Sequence, residues 1–468
     1  MKTNNQNPKK RSLLPVLLAV LAGLLALVWG VGYVSTRYTT WLPAPYRKAA
    51  QAAPTNGSRD EKWIADIDYY AAQLPRLHIN AFHSLSAEQF AQEIETLKAS
   101  VPQLSDNQIG LELVRLTAAI GDAHTRAVPA QWRQASLLPL RLYWFDDGLV
   151  VTGVMPQSQE ALGARLVSVE DTPLDEVLER LRPYISSENE MSLRSNIANL
   201  LLTADVLEAL GLAESAQQVR LGFERADGTP FELSLAAVSA EEYREGIDTG
   251  MSGQEKPLYL SKTDEVYWFE FLPDTNTLFF QYNSCVDSPE RLMETFANEL
   301  FAALDANPVE RLVIDLRFNG GGNSAVLDPF IQRLNQHSIS QEGRVFVLIS
   351  RNTFSSAILN ALDLQSMAGA TLVGEPTADR PDHFGEVRSF TLPNSGLLVT
   401  YSTKFFSIAR GEANDRGDNM ARMGIWLADN PPDDSGIRSL QPDVAVPFTS
   451  QDYFGLRDPL LEAVTQLP

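Results

Sequence analysis

Two adjacent serines, Ser355 and Ser356, lie where a serine could act as a nucleophile. They follow the apolar run RVFVLIS across a tight turn and begin the helical pattern SSAILNALDLQSMAG. A serine at a turn between a buried strand and a helix exposes its hydroxyl, and the N–H of the next residue points at the same space. Serines also cap helices without doing chemistry. The pattern therefore indicates either a nucleophile or a capped helix.

A glycine-rich segment, DLRFNGGGNS, follows a second apolar run, RLVIDLR. Consecutive glycines between a strand and a helix leave backbone N–H groups unshielded, and such groups can hold an anion. A flexible strand-to-helix connection is the structural alternative. No Gly-Lys-Ser or Gly-Lys-Thr element follows, so the segment is not a phosphate-binding P-loop.

A serine nucleophile needs a base, because its hydroxyl is weakly nucleophilic at its own pKa. The sequence offers five histidines: His78, His83, His124, His337 and His383. No pair or triplet of them has a spacing typical of metal ligands, so we expect no metal and no other cofactor. The single cysteine, Cys285, follows the strand-like run LFFQYN and is expected to be a buried core residue.

The elements around these motifs predict a parallel sheet with helical crossovers. Its strands are the apolar runs TLFFQYN, RLVIDLR, RVFVLIS and ATLVGE, which lack polar alternation and so are expected to be buried on both faces. Ser288 and Pro289 are predicted to open a helix that continues through Phe296 and Leu304, and another helix is expected from about Ser324.

The pattern of apolar and polar residues divides residues 59–250 into two further units. Residues 59–128 show three helical patterns, two of which begin with capping boxes, Ser86 with Gln89 and Ser105 with Gln108. Residues 129–250 are a mixed α+β unit that ends in a hairpin about Asp227 and Gly228, and residues 251–468 form the core with the serines.

The N-terminus predicts export. Residues 13–34 carry no charge over 22 positions, about the length that crosses a bilayer, and Lys9, Lys10 and Arg11 precede them. We therefore expect a cytoplasmic tail at 1–12, a transmembrane anchor at 13–34, a linker at 35–58 and an extracytoplasmic remainder. A cleaved signal peptide is the alternative. The net charge of −21 disfavours nucleic-acid binding.

A family resemblance connects these motifs. DLRFNGGG, the strand–TFSSA–helix unit, GEPTADRPDHFGE and LQPDVAV occur in the order found in C-terminal-processing (tail-specific) serine peptidases and their tricorn-core relatives. The resemblance covers residues 265–446 and implies an α/β core of the crotonase/ClpP type. Gap-free matching from GEPT places the nucleophile on Ser355, with oxyanion donors from the Ser356 N–H and from Gly320 or Gly321.

The base departs from the pattern of the processing peptidases. Arg380 occupies the position of their lysine, and arginine stays protonated, so it cannot accept the serine proton. GDAHT resembles the segment of the tricorn-like branch that supplies a histidine, which points to His124. His383 and then Lys404 are the alternatives. That branch also has a supporting glutamate, for which Glu386 and Glu412 are candidates, and Asp122 is expected to cap a turn.

The middle unit also carries a resemblance. GARLVSVEDTPLDEVL, residues 163–178, is similar to the second half of a PDZ-like module, but the carboxylate-binding loop is not evident. We expect a degenerate module. The sequence as a whole predicts an anchored serine peptidase acting on peptide or protein substrates. Its alternatives are a catalytically inactive protein of the same fold that binds peptides or hydrophobic ligands, and an acyl-CoA enzyme of crotonase type, which would need a cytoplasmic ligand.

Overall fold

The computed structural model describes residues 47–251, 253–407 and 436–467. The helices are α1 (Arg59–Leu77), α2 (Ala87–Ser100), α3 (Asp106–Ala118), α4 (Leu174–Leu181), α5 (Glu190–Leu201), α6 (Ala204–Ala209), α7 (Ala240–Gly246), α8 (Leu258–Ser261), α9 (Met293–Ala306), α10 (Asp328–Leu334), α11 (Ser338–Gln341), α12 (Ser356–Ala368), α13 (Ser450–Phe454) and α14 (Pro459–Gln466). Short 3-10 helices cover Ala130–Gln134, Pro156–Ala161, Arg182–Tyr184 and Ser324–Val326.

Fifteen strands lie in the described ranges and form three sheets. They are β1 (Ala127–Val128), β2 (Leu140–Phe145), β3 (Gly148–Val154), β4 (Arg165–Val169), β5 (Thr172–Pro173), β6 (Gln218–Glu224), β7 (Pro230–Ala236), β8 (Tyr267–Leu272), β9 (Thr277–Tyr282), β10 (Arg311–Asp315), β11 (Val345–Ile349), β12 (Thr371–Gly374), β13 (His383–Thr391), β14 (Leu398–Phe406) and β15 (Val444–Ala445).

The core sheet has the order β15-β12-β11-β10-β9-β8. All its neighbouring strands are parallel except β8, which is antiparallel to β9. Helices α9, α10 and α12 pack their apolar side chains against it. The predicted parallel sheet with helical crossovers is confirmed, and the carboxyl ends of β10 and β11 lead directly into the glycine segment and the serine turn.

The predicted start of α9 is wrong. The helix begins at Met293, and residues 288–292 form a turn outside it. The Ser288 N–H donates to the Tyr267 hydroxyl (3.0 Å), and Asp287 Oδ1 accepts from the Met293 N–H (2.9 Å). These side-chain bonds hold the proline segment as a loop, so Pro289 does not occupy the first helical position.

The helix expected from about Ser324 is a 3-10 turn followed by an α-helix that begins at Asp328. Asn323 caps the 3-10 turn, since its Oδ1 accepts from the Ala325 N–H (3.2 Å). Pro329 occupies one of the first two positions of the α-helix, where its missing N–H costs no hydrogen bond.

The three N-terminal helices begin as the sequence indicates. Both predicted capping boxes are present, with the Ser86 and Ser105 side chains accepting from the N–H groups of Gln89 and Gln108. A third box, which we did not predict, starts α1 at Ser58. Reciprocal bonds of this kind satisfy donors that a helix start leaves free, so the sequence fixes these boundaries locally.

The helical unit shares its core with a hairpin from far along the chain. Strands β13 and β14 pair with each other and, through β14, with β1. Phe390, Val399 and Tyr401 of the hairpin pack among the apolar side chains of α1–α3. Strand β1 directly follows the GDAHTR segment, so this small sheet ties that segment to the C-terminal half of the chain.

The middle unit is an antiparallel sheet of order β2-β3-β4-β6-β7, with β5 paired to β4. Helices α4–α6 cover one face and bury a single apolar core with it. The predicted hairpin is confirmed: β6 and β7 pair in register, and Gly228 lies in the turn with a positive φ of 84°. Glycine adopts this conformation without a steric penalty.

The predicted anchor at 13–34, the tail before it and residues 35–46 of the linker lie outside the described residues. Within the ranges that are described, no helix is both long enough and apolar enough to cross a membrane.

Candidate active site

Ser355 lies on a strained turn between β11 and α12. Its φ of 54° and ψ of −125° fall in a region that residues with a β-carbon rarely adopt. The side chain is half-buried, and its hydroxyl has no hydrogen-bond partner in the described part of the chain. Because it caps nothing, the capped-helix alternative does not explain Ser355. The conformation matches that of a presented nucleophile.

Hydrogen bonds from three directions hold this turn. The Thr353 hydroxyl donates to the Leu316 carbonyl (2.8 Å), and the Phe354 N–H donates to the Asn319 carbonyl (3.0 Å). The Ser355 N–H donates to Asp379 Oδ2 (3.1 Å). Thr353 is fully buried, so these bonds connect the turn to the glycine segment and to the loop after β12 with little exchange with water. Such bonds can offset the cost of a strained backbone.

The glycine segment packs directly against Ser355. A β-carbon at Gly321 would stand 2.8 Å from the Ser355 β-carbon and 2.9 Å from the Phe354 carbonyl oxygen, and Gly321 has a φ of 100°. The Gly321 N–H donates to Asn319 Oδ1 (2.9 Å). The N–H groups of Gly320 and Ser356, by contrast, have no acceptor among the described residues. The Ser356 N–H belongs to the residue after Ser355, and Gly320 precedes the glycine that packs against Ser355. Two unengaged backbone donors therefore belong to the segments that meet at this turn.

Replacing Gly321 with alanine should move Ser355 and cut its reactivity about 100-fold, since displacements near 1 Å have effects of that size. The added methyl group has no space, because the atoms it meets are mostly backbone. The measurement is the rate at which a fluorophosphonate labels Ser355. Gly343→Ala is the matched control, since Gly343 also has a positive φ (70°) but open space around it. Labelling of Gly321→Ala within twofold of the control would contradict this packing.

His124 packs beside the serine turn. Its ring lies against the Phe354 ring, with 4.5 Å between centroids, and nearly parallel to the His383 ring at 5.8 Å. The side chain is 7% exposed. Neither ring nitrogen has a hydrogen-bond partner in the residues described, and Nδ1 lies 3.8 Å from Asp122 Oδ1. The structure thus brings His124 against the residue before Ser355 without a serine–histidine hydrogen bond.

Burial lowers the pKa of His124, and the negative charges of Asp379 and Asp122 oppose this effect in part. The imidazole is therefore neutral near pH 7, which is the state that a general base requires. Its backbone is fixed from both sides: the His124 N–H donates to Asp122 Oδ1 (2.8 Å), and the Thr400 hydroxyl of β14 donates to the His124 carbonyl (2.9 Å).

Asp122 is a buried anion that organises the GDAHTR turn, in keeping with its predicted role. It accepts from His78 Nε2 (3.0 Å), from the His124 N–H and from the Ser402 hydroxyl (2.6 Å). Burial alone would raise its pKa, but the hydrogen bond and charge of His78 hold that pKa well below the ordinary range. Its ionised oxygens are thus satisfied by donors, and its role is to hold the histidine segment on β14.

Of the other residues proposed from the sequence for the base or its support, only His383 is shown to lie beside His124. His383 is buried, and its Nδ1–H donates to the Arg380 carbonyl (3.0 Å), which fixes its ring beside His124. Glu386 and Lys404 form an ion pair (3.2 Å) across the β13–β14 hairpin, where Glu386 is exposed. Glu412 lies outside the described residues.

Two carboxyl groups near His124 were not predicted. Asp379 accepts from the Ser355 and Arg380 N–H groups. Glu188 comes from the loop before α5, and its Oε1 accepts from the Ala123 N–H (3.2 Å), whereas its buried Oε2 has no partner among described residues. Burial and the charges of Asp379 and Asp122 raise the pKa of Glu188. Asp379 lies within the GEPTADR motif, but no local pattern could have indicated Glu188.

Cys285 is buried, as predicted. Its Sγ lies 3.3 Å from both Asn319 Oδ1 and Asn360 Oδ1, and burial raises the pKa of the thiol to about 12. A protonated thiol at this position is a poor nucleophile. It instead helps to fix Asn319, which orients the glycine segment.

Comparison with known proteins supports the fold. No protein-family model and no curated protein matches the sequence. Among solved structures, mature CPAF in complex with lactacystin matches with a TM-score of 0.58 at 13% identity, covering 87% of this chain and 98% of that one. Mature CPAF alone gives 0.57 at 14% identity, covering 86% and 96%.

The photosystem II D1 C-terminal processing protease also matches, with a TM-score of 0.37 at 13% identity and coverage of 88% and 97%. That score is too low to carry an argument. The two CPAF structures, however, have TM-scores above 0.5 and are matched over nearly their whole length. The chain therefore has the mixed α/β fold of mature CPAF.

Proposed function

We propose that this chain is a serine peptidase that cleaves peptide bonds through an acyl-enzyme on Ser355. One observation carries the proposal: Ser355, with an unengaged hydroxyl, lies on a strained turn against a glycine segment, and each of these two segments has an unengaged backbone N–H, that of Ser356 and that of Gly320. A serine with a purely structural role would use its hydroxyl in a hydrogen bond, either to cap a helix or to donate to a carbonyl oxygen. This arrangement instead suits attack on a carbonyl and stabilisation of the oxyanion that forms.

In the proposed acylation, the Ser355 Oγ attacks the carbonyl carbon of the scissile peptide bond, and its proton passes to His124. The carbonyl oxygen becomes an oxyanion that accepts from the N–H groups of Ser356 and Gly320. The Gly321 N–H is engaged by Asn319 and takes no part. Each such donor typically lowers the barrier by about 3–4 kcal/mol. The protonated His124 then donates to the leaving amine, and the C–N bond breaks.

Deacylation repeats the sequence with water. His124 takes a proton from the attacking water, the same two N–H groups hold the second oxyanion, and the proton returns to Ser355 as the acid product leaves. The buried, neutral imidazole supports this role, because it can accept a proton at neutral pH. Asp379 contributes by holding the Ser355 N–H and by favouring the protonated imidazole through its charge.

We also propose that the peptidase is anchored in the cell membrane with its catalytic part outside the cytoplasm. The support is the uncharged run at 13–34 with basic residues before it. Its substrates are peptides or proteins on that side of the membrane.

A catalytically inactive binding protein is the second candidate, and a specific observation favours it. His124 makes no hydrogen bond with Ser355, and Arg380 stands where the processing peptidases have a lysine base. Catalytic hydrogen bonds are often long in ligand-free structures and tighten when substrate binds, so the first point alone does not decide between the candidates.

Covalent labelling distinguishes the two. The purified chain is incubated with a biotinylated fluorophosphonate, and the modified residue is located by mass spectrometry of the peptides. We expect modification of Ser355 and hydrolysis of casein by the same preparation. A folded protein that takes no label at Ser355 would support the binding protein. Heat-unfolded protein is the control, since a hydroxyl that is activated only by the folded site should lose its reactivity.

A further inference from the structure

The segment that carries His124 is held by the middle unit, through the loop that precedes α5. The Ser186 hydroxyl donates to the Thr125 carbonyl (2.7 Å). Glu188 Oε1 accepts from the Ala123 N–H (3.2 Å). The two bonds lie on either side of His124, so the loop fixes the backbone both before and after the proposed base.

The same loop also contacts the serine side of the site. The Asn189 side-chain amide donates to the Thr377 carbonyl (3.1 Å), two residues before Asp379. Asp379 in turn accepts from the Ser355 N–H (3.1 Å). One short loop of the middle unit is therefore bonded both to the histidine segment and to the loop that supports the serine.

Two further hydrogen bonds join the middle unit to the serine turn itself. The Ser195 hydroxyl of α5 donates to Asn352 Oδ1 (3.0 Å), three residues before Ser355. The buried Arg351 guanidinium donates to the Trp144 carbonyl of β2 (2.6 Å). The middle unit is thus bonded to the segments of both proposed catalytic residues, and it contributes to the distance between them.

The loop before α5 is fixed at both of its ends. Ile185 precedes it and Leu193 follows it, and both pack in the apolar core of the middle unit. Asn189 caps α5, since its Oδ1 accepts from the Ser192 N–H (2.8 Å). The loop therefore moves with the middle unit as a whole, and a rigid element holds a site more accurately than a free loop does.

The His124 ring depends on its backbone for its position. Neither ring nitrogen has a hydrogen-bond partner among the residues described. Asp122 and Thr400 bond the His124 backbone and so hold it on the helical unit and on β14. Proton transfer from Ser355 requires that the imidazole come within hydrogen-bond reach of the serine hydroxyl. A small shift of the histidine segment therefore changes the distance on which the reaction depends.

We propose that Ser186 and Glu188 are positioning residues, which hold the His124 segment at the distance from Ser355 that proton transfer requires. They act through backbone atoms on either side of His124 and take no proton from the serine. The proposal rests on the proposed peptidase activity, since it concerns how the base reaches the nucleophile. It gives the middle unit a part in the chemical step.

The rate at which a fluorophosphonate labels Ser355 tests the first of these residues, because labelling needs an activated serine but no bound peptide. A displacement of about 1 Å can slow a reaction about 100-fold. Ser186→Ala removes one of the two bonds to the histidine segment, so we expect labelling about tenfold slower than in the wild-type protein.

Ser158→Ala is the matched control. The Ser158 hydroxyl is also buried and donates to the Pro139 carbonyl at the same distance (2.7 Å), but both residues belong to the middle unit. This variant should lower the melting temperature at least as far as Ser186→Ala does. Its labelling rate should stay within twofold of the wild-type rate, because no bond to the histidine segment is lost.

Two substitutions of Glu188 separate its hydrogen bond from its bulk and charge. Glu188→Ala should slow labelling about tenfold and lower kcat for casein with little change in KM, because only the chemical step is affected. Glu188→Gln should keep the rate within threefold, since glutamine has an oxygen that can accept from the Ala123 N–H. Burial and the charges of Asp379 and Asp122 raise the pKa of Glu188, so the uncharged amide is a close substitute.

The outcomes distinguish this proposal from the proposed function. A folded wild-type protein that takes no label would contradict the peptidase, and the positioning role with it. If the wild-type protein is labelled but Ser186→Ala and Glu188→Ala match Ser158→Ala, the positioning role alone is overturned. The same holds if Glu188→Gln is as slow as Glu188→Ala, or if the loss appears in KM and not in kcat.

Discussion

Ser355→Ala should lower kcat/KM for peptide hydrolysis by at least about 10⁴-fold, because removal of the nucleophile leaves only the oxyanion donors and substrate binding. Stability should change little. The Ser355 hydroxyl makes no hydrogen bond in the described part of the chain, and alanine has the same β-carbon, so the strained backbone is neither relieved nor worsened. Initial rates with casein, together with melting curves of both proteins, measure the two quantities.

Ser356→Ala is the matched control for this change. The Ser356 hydroxyl donates to the Gly322 carbonyl (2.8 Å), and its loss should loosen the glycine segment slightly. The backbone N–H, which is the proposed oxyanion donor, remains. We therefore expect a loss of less than about tenfold. If Ser356→Ala were the inactive variant, or if Ser355→Ala kept more than a hundredth of the wild-type rate, the nucleophile would be misassigned.

Much of the fold follows from local patterns. The capping boxes at Ser86 and Ser105 and the apolar strands β9–β12 depend on neighbours within a few residues, so the sequence alone predicts them. The start of α9 does not follow from such patterns, because the Tyr267 hydroxyl, from another strand, holds the loop before it. A helix boundary that depends on a side chain far away in the sequence cannot be predicted from the spacing of apolar residues.

The candidate site likewise contains some residues whose positions follow from local patterns and others whose positions do not. Ser355 and the glycine segment follow strands, and parallel strands bring their carboxyl ends to one edge. Their meeting was therefore predictable. The approach of His124 depends on the small sheet of β1, β14 and β13, which joins the helical unit to a hairpin more than 250 residues later. Glu188 reaches the same place from the middle unit. Neither contact has a local pattern, and only the family resemblance pointed to His124.

His124→Gln should lower kcat/KM by about 10³-fold, within the 10²–10⁴ range typical for loss of a general base. The dependence of kcat/KM on pH in the wild-type protein should also show that the base is a buried imidazole. A base works in its neutral form, which is lost as the pH falls below its pKa. Because burial lowers the pKa of His124, activity should persist below pH 6.5, the ordinary pKa of histidine. A series of kcat/KM values from pH 4 to pH 8 locates this acid limb.

Asp379→Asn should shift the acid limb of the kcat/KM profile to lower pH. The charge of Asp379 stabilises the protonated imidazole, so its removal lowers the pKa of His124 further and shifts the limb to lower pH. Asparagine keeps an oxygen that can accept from the Ser355 N–H.

His383→Gln is the control for His124→Gln, since the two rings are neighbours and only one is the proposed base. A larger loss in His383→Gln, or an acid limb that does not move in Asp379→Asn, would assign the proton transfer to a group other than His124.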